Sequence, residues 1–531
     1  MITRRTFLGN VAAATAGAAL ARPAIAQSSS AQTLRFVPQA NLTSLDPIWT
    51  TATVTTNHAY YVFDTLYALD GRQQPQPQMA QGHEVSADGR VWRIGLREGL
   101  KFHDGSPVRG VDCIASLKRW AEVDVLGQLL AALVEDWSAP DDRTLEIKLK
   151  RSFPMLLAGL AKADAVGPFI MPERLARTPA RTQVTEMIGS GPYRFVAAEF
   201  VPGSRAVYTR FDDYVPRQQP PDWASGGKVA NFDRVEWVVI PDTSTAAAAL
   251  QAGEVDWWER PSSDLVPMLA KDRRIVVRPQ NQLGQMAVMR LNCLQAPFDQ
   301  LELRRAVMMS INQEDYMTAV FGAGKDAWSS CYGVFPRGTP YYSEEGAELL
   351  KGPHEPAAVH RALQDAGYSG QKVVILNPTD FPTIGPLGDV AYDALRRAGM
   401  NVELAASDWG TVIQRRVSRE PVEKGGWSIF TTWGPGLATG NPIFSPWARG
   451  QGATGWFGWF EDAKTEALVQ DWLYAADDEK RRQLASTINA RVLGGVGTIP
   501  LGQGPILTAF RADLTGMVEA NNPLPWNLRR I

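Results

Sequence analysis

Two serine–lysine pairs, Ser225-Gly-Gly-Lys228 and Ser369-Gly-Gln-Lys372, have the spacing at which a lysine amine can activate a serine nucleophile. Neither is accompanied by Ser-Asp-Asn or Lys-Thr-Gly, and both fall in glycine-containing turns, so they read as chance matches. The five histidines stand at 58, 83, 103, 354 and 360. His354-Glu355 has its next histidine at 360 with Pro356 between, which defeats the i, i+4 geometry of a helical zinc site. There is no Cys-x-x-Cys, no Gly-x-Ser-x-Gly elbow and no Walker A loop, and Gly434-Pro-Gly436 continues as Leu-Ala-Thr-Gly, unlike a dinucleotide fingerprint. Acid pairs such as Glu461-Asp462 leave a two-carboxylate secreted hydrolase open as the alternative, with nothing to support it. The expectation is therefore no catalytic residue, no metal and no cofactor.

The side chains that stand out are binders, not reactants. From Trp427 to Phe460 the chain holds nine aromatic residues in 34 positions and a single charge, Arg449. Glycine and proline punctuate it, so most of it cannot be regular helix or strand. Trp427, Phe430, Phe444 and Trp447 read as core, and Trp456 to Phe460 as packing for a long loop.

A chain of 531 residues is too long for one core and implies two or three domains. Its formal charge of −2 and lack of long like-charge blocks argue against a nucleic-acid partner. No apolar run reaches the length of a membrane span. The N-terminus reads as an address: Thr3-Arg-Arg-Thr-Phe-Leu8 resembles a twin-arginine export signal, and Ala24-Ile-Ala26 is a small-x-small cleavage site. Gly9 stands where lysine is common. Cleavage after Ala26 removes three arginines and no acid, taking the net charge to −5. The first cysteine is Cys113, so no lipid anchor is expected and the mature protein is placed free in the periplasm. Cys113, Cys293 and Cys331 permit at most one disulfide.

The elements that must position any site alternate between strand and helix. Strands are predicted at 33–37, 91–97, 144–149, 193–197, 235–240, 286–291, 372–377, 401–406 and 427–433. Helices are predicted at 57–66, 111–121, 243–251, 300–311, 357–366, 387–398, 409–418 and 478–491. Such alternation implies parallel sheets covered by helices.

Six separated segments carry a resemblance. They are Tyr61-Val-Phe-Asp-Thr-Leu66, Val85-Ser-Ala-Asp-Gly-Arg-Val-Trp92, Leu96 to Ser106, Gly189-Ser-Gly-Pro-Tyr-Arg-Phe195, Ala249 to Asp256, and Pro297 to Ala306. In this order and spacing the chain resembles the extracytoplasmic solute-binding proteins of family 5, the dipeptide-, oligopeptide- and nickel-binding receptors of ABC importers, over nearly all of residues 33–510. None of the six motifs is itself a ligand site. The resemblance implies an α/β, two-lobed periplasmic-binding-protein fold with mixed sheets flanked by helices and an extra inserted domain. Domain I would comprise 33–70, 188–279 and 497–531, domain II the insertion 71–187, and domain III 280–496. Two hinge crossings would lie near Gln280 to Met289 and Gly497 to Gln503. The implied partners are a small organic solute, peptide-like or other, and an ABC permease and ATPase at the inner membrane. The receptor would be a monomer, with no nucleic acid bound.

Ligands of open α/β sheets sit beyond the carboxyl ends of strands. That rule places Trp433, Gly434 and Gly436, which end the strand 427–433, at the cleft, with Trp409 beside them. Trp49, Thr50, Thr51 and Asn57, around the start of the first helix, are the expected contribution of the other lobe. Peptide-binding relatives carry an aspartate just after the corresponding strand end, where it holds the peptide's α-ammonium. Here Gly434 to Asn441 contains no acid. A buried ammonium without a counter-charge is costly, so the sequence points to a neutral or anionic solute rather than a free dipeptide.

Overall fold

The computed structural model describes residues 33–163, 165–324 and 327–531. The expected signal peptide, residues 1–26, lies outside the described residues. The chain folds as two lobes on two mixed sheets. The first sheet has seven strands in the order Tyr193–Phe195, Arg205–Arg210, Arg234–Val238, Thr33–Val37, Trp257–Trp258, Leu507–Arg511 and Ile275–Pro279. Thr33–Val37 runs parallel to both its neighbours, while the outer pairs are antiparallel. The second has five, in the order Val402–Ser407, Val373–Pro378, Ile429–Pro435, Gln285–Leu291 and Ile499–Gly504. Its first three strands are mutually parallel and its last two antiparallel to their neighbours. Both sheets are thus mixed, as the resemblance implies. Three antiparallel strands of the first sheet, Tyr193–Phe195, Arg205–Arg210 and Arg234–Val238, follow one another in the chain, whereas Leu507–Arg511 and, in the second sheet, Gln285–Leu291 and Ile499–Gly504 come from distant parts of it. A third sheet, of four antiparallel strands between Ala80 and Leu149, belongs to the segment inserted in the first lobe.

The cores follow from large side chains at strand spacing. Phe36, Trp237 and Trp257 come from adjacent strands of the first sheet and meet Tyr61 and Tyr208. Every residue of Gln285–Leu291 is buried, as expected for a strand covered on both faces. The inserted segment is tied to the first lobe by a closed ion pair. Arg119, on the helix Gly110–Ala121, donates to both oxygens of Asp46 at 3.0 and 2.6 Å, and the Val184 amide adds a third bond at 2.8 Å. Lys228 is likewise buried against Asp64 at 2.7 Å, with Tyr214 donating to the other oxygen at 2.8 Å. The amine of the Ser225–Lys228 pair is therefore committed to the scaffold.

The chain passes between the two sheets twice, at Gln280–Gly284 and at Pro505–Ile506. The second crossing falls later than the expected 497–503, because Ile499–Gly504 stays paired with Gln285–Leu291 until its end. The two crossings touch: the Gln280 amide donates to the Ile506 carbonyl at 2.7 Å. Gly284 has φ +60° there, and a Cβ would lie 2.2 Å from the Gly504 carbonyl oxygen, so no other residue fits without moving the partner strand. All three cysteines are free, so the possible disulfide does not form. No described helix is long and apolar enough to cross a membrane.

Candidate functional site

Three parallel strands of the second sheet end at one edge, and each delivers an aromatic side chain to the same cavity. Phe381 follows Val373–Pro378, Trp409 follows Val402–Ser407, and Trp433 lies near the carboxyl end of the strand Ile429–Pro435. The first lobe answers in kind. Gln39 and Ala40 follow Thr33–Val37, and Arg260 follows Trp257–Trp258, two strands that are also parallel to each other. Carboxyl ends of parallel strands from both lobes thus face one space, as the rule for open α/β sheets requires. The cavity holds about 1170 Å³ of empty space, its mouth included. Val123 to Leu126, Lys162, Ala165 and Val166 of the inserted segment close a third side.

The walls are held by local bonds. Asp408 caps the helix Trp409–Arg415, accepting from the Thr411 amide, and Asp380 accepts the Trp409 amide at 2.7 Å. Trp409 meets Phe381 edge-on at 5.2 Å. The Trp433 indole donates to the Thr383 carbonyl at 2.7 Å, which fixes its ring against the cleft. Gly434 carries no side chain for a reason: a Cβ there would sit 2.1 Å from the Trp447 ring, itself a cavity wall.

Of the residues expected from sequence, Thr51, Trp409, Trp433 and Gly434 line this cavity, and the other four do not. Trp49 is 43% exposed and is not part of the lining. The Thr50 hydroxyl is turned back to accept the Ala52 amide. Asn57 lies inside the first lobe, donating to Glu259 at 2.9 Å and accepting from Asn522 at 2.8 Å, because the first helix is Thr53–Val62 and starts a turn earlier than expected. Gly436 packs against Leu283 behind the strand. Trp427, Phe430 and Trp447 are buried core, as read from sequence; Trp447 also borders the cavity, as do Phe444 and Trp456.

The stretch Gly434–Asn441 keeps its acid-free character in three dimensions. Asp124 is the one acid among the described lining residues, and it is committed: it caps Val125–Leu133, accepting from Leu126 and Gly127 amides, and pairs with Lys162.

A model of bacterial extracellular solute-binding proteins, family 5, matches residues 74–455. A probable peptide ABC transporter periplasmic-binding protein, y4tO of Sinorhizobium fredii, is 37% identical over 521 residues, covering 97% of each chain. The chain belongs to family 5 of the extracellular solute-binding proteins. Among solved structures, the binding protein AgaA of A. tumefaciens R10 in complex with agropinic acid has a TM-score of 0.79 at 20% identity, over 94% of this chain and 99% of that one. A dipeptide-binding protein from a Pseudoalteromonas species in complex with Met-Leu has 0.77 at 20% identity, over 94% and 100%. The family is one of binding proteins for ABC transporters and not of enzymes, which removes the hydrolase alternative.

Sequence reasoning on this family 5 protein missed its charged cavity residues. Arg416 is 3% exposed, yet it lines the cavity. Its guanidinium stacks over Phe457 at 4.5 Å and lies 5.9 Å from the Trp409 ring. One Nη donates to the Thr51 hydroxyl at 2.9 Å, across the cleft, and the Nε has no partner. Burial pushes its pKa down to about 10. Arg260, half-buried in the opposite lobe, donates to Gln285 at 3.1 Å and also has an unpartnered Nε. Burial lowers its pKa, with neighbouring Glu259 acting against that. In sequence Arg416 is one of two adjacent arginines at a helix end, which reads as ordinary dipole compensation.

Proposed function

We propose that this protein is the receptor of an ABC importer for a small organic solute that is not held through an α-ammonium. The observation that carries the reading is the acid-free strand end at the cavity, with Asp124 already capped and paired. A free dipeptide brings an ammonium, and its burial beside two arginines without a free carboxylate costs several kcal/mol. A neutral or anionic solute does not meet that penalty. Relatives of this fold hold ligands as different as Met-Leu and agropinic acid, so the scaffold alone does not choose the guest.

Thr51, Trp409, Trp433 and Gly434 are the proposed contacts, with the other aromatic walls supplying apolar area and few polar groups fixing orientation. Binding between lobes couples to hinge closure, because only a guest touching both sides favours the closed form. Gln280–Gly284 and Pro505–Ile506 are the proposed hinge. The expected division into domains I, II and III is retained with that one boundary moved. The twin-arginine segment of residues 1–26 is proposed to export the chain to the periplasm, where it acts as an unanchored monomer and hands its guest to a permease and ATPase.

Isothermal titration with di- and tripeptides tests the reading. No heat of binding is expected; micromolar or tighter association with free peptides overturns it.

A further inference from the structure

We infer that Arg416, Arg260 and the open N-terminus of the helix Thr53–Val62 form a seat for a carboxylate, and that the solute is an organic acid. Three independent features border the same cavity. Arg416 is a buried cation with no carboxylate partner. It is held by two aromatic faces and one hydroxyl, and its Nε is buried without a hydrogen-bond partner. Arg260, from the other lobe, lines the same cavity and has a second buried Nε without a partner. Thr51, Ala52, Thr53 and Val54 line the cavity at the start of a ten-residue helix whose N-cap, Ala52, offers no side-chain acceptor. Free amides at such an end favour an anion.

The remaining charges leave Arg416 without a counter-ion, while Glu259 offsets part of the charge of Arg260. Lys162 and Asp124 cancel each other. Glu259, one residue from Arg260, spends its oxygens on the Gln39 amide and the Asn57 amide group. A buried charge lacking a partner is among the costliest features a fold can carry, and a planar guanidinium is matched by a carboxylate. The aromatic walls of the same cavity fit an apolar body attached to that carboxylate.

The seat also explains what links guest and closure. Arg416 belongs to the second lobe and reaches Thr51 of the first, while Arg260 of the first reaches Gln285 of the second. A carboxylate taken up between the two arginines bonds to both lobes at once, and so favours the closed arrangement.

This inference rests on the receptor reading, and the test separates them. The ligand-stripped protein is incubated with three dipeptide libraries: N-acetylated acids, the same sequences as N-acetylated C-terminal amides, and free dipeptides. Retained members are read by mass spectrometry after ultrafiltration. N-acetylated acids are expected to be retained at least about tenfold over their amides, the usual scale for a hydrogen bond to a charged group. Arg416→Gln is expected to abolish that preference and Arg416→Lys to restore part of it. Arg260→Gln carries the same test if Arg416→Gln does not fold, as judged by circular dichroism. Equal retention of acids and amides, retention of neither, or an unchanged preference in Arg416→Gln overturns the carboxylate seat. Acids retained whether acetylated or free support the seat, while defeating the argument against an ammonium group.

Discussion

Two arginines of the second lobe, Arg290 and Arg416, share every coarse property and differ in one. Both are almost wholly buried, both lie over aromatic rings, and burial pushes both down to a pKa of about 10. Arg290 sits in the middle of the sheet and is closed by the chain itself: it donates to the Phe457 carbonyl at 2.9 Å, to the Thr498 hydroxyl and to the Trp447 carbonyl at 3.4 Å. Arg416 sits at the sheet's carboxyl edge and makes one side-chain bond, to Thr51 in the other lobe. The chain closes Arg290 on three sides and leaves Arg416 with a single bond. The buried pairs Asp46–Arg119 and Lys228–Asp64 follow the first pattern, and Arg260 follows the second.

Replacing each arginine breaks or sharpens that contrast. Arg290→Met orphans the buried Phe457 carbonyl, worth about 1–3 kcal/mol, and leaves the Trp447 carbonyl with the Thr498 hydroxyl alone. Urea denaturation of the ligand-free protein is expected to show a loss of roughly 2–5 kcal/mol. Arg416→Met keeps an unbranched chain against Phe457 and Trp409 and removes a desolvated charge. The same measurement is expected to show a change within about 1 kcal/mol, or a gain. Equal losses in the two variants would make Arg416 a second structural arginine and erase the distinction.

The elements were legible where local pattern and tertiary pairing agree. Thr33–Val37 and Thr144–Leu149 begin and end where alternation places them, and Gly253, at φ +77°, stops the helix Thr243–Ala252 as its sequence announces. They were not legible where distant chain decides. Tyr61 to Leu66 continues the apolar spacing of a helix, yet Asp64–Thr65 pairs with Phe169–Ile170 and ends the helix at Val62. Of the site, the strand-end rule located Trp409, Trp433 and Gly434 because it depends only on where a strand stops. It could not place Asn57, whose carboxamide is consumed by Glu259 and Asn522, residues more than two hundred positions away. Nor could it find Arg416. That residue is unusual for the partner it lacks, and a missing partner has no signature in sequence. The aromatic segment divides for the same reason: Trp427 packs on Phe430 and Trp459 inside the lobe, while Trp447 and Trp456 turn to the cavity across loops that no periodicity describes.

The central claim is that the cleft is built to hold an organic acid and give it back unaltered. Mass spectrometry of the small molecules released on denaturing the protein purified from its own periplasm tests this most directly. One dominant carboxylic acid without a free amine, recovered unchanged after incubation with the protein, is the predicted result. A free dipeptide, a cation, or a compound converted into a new product would contradict it.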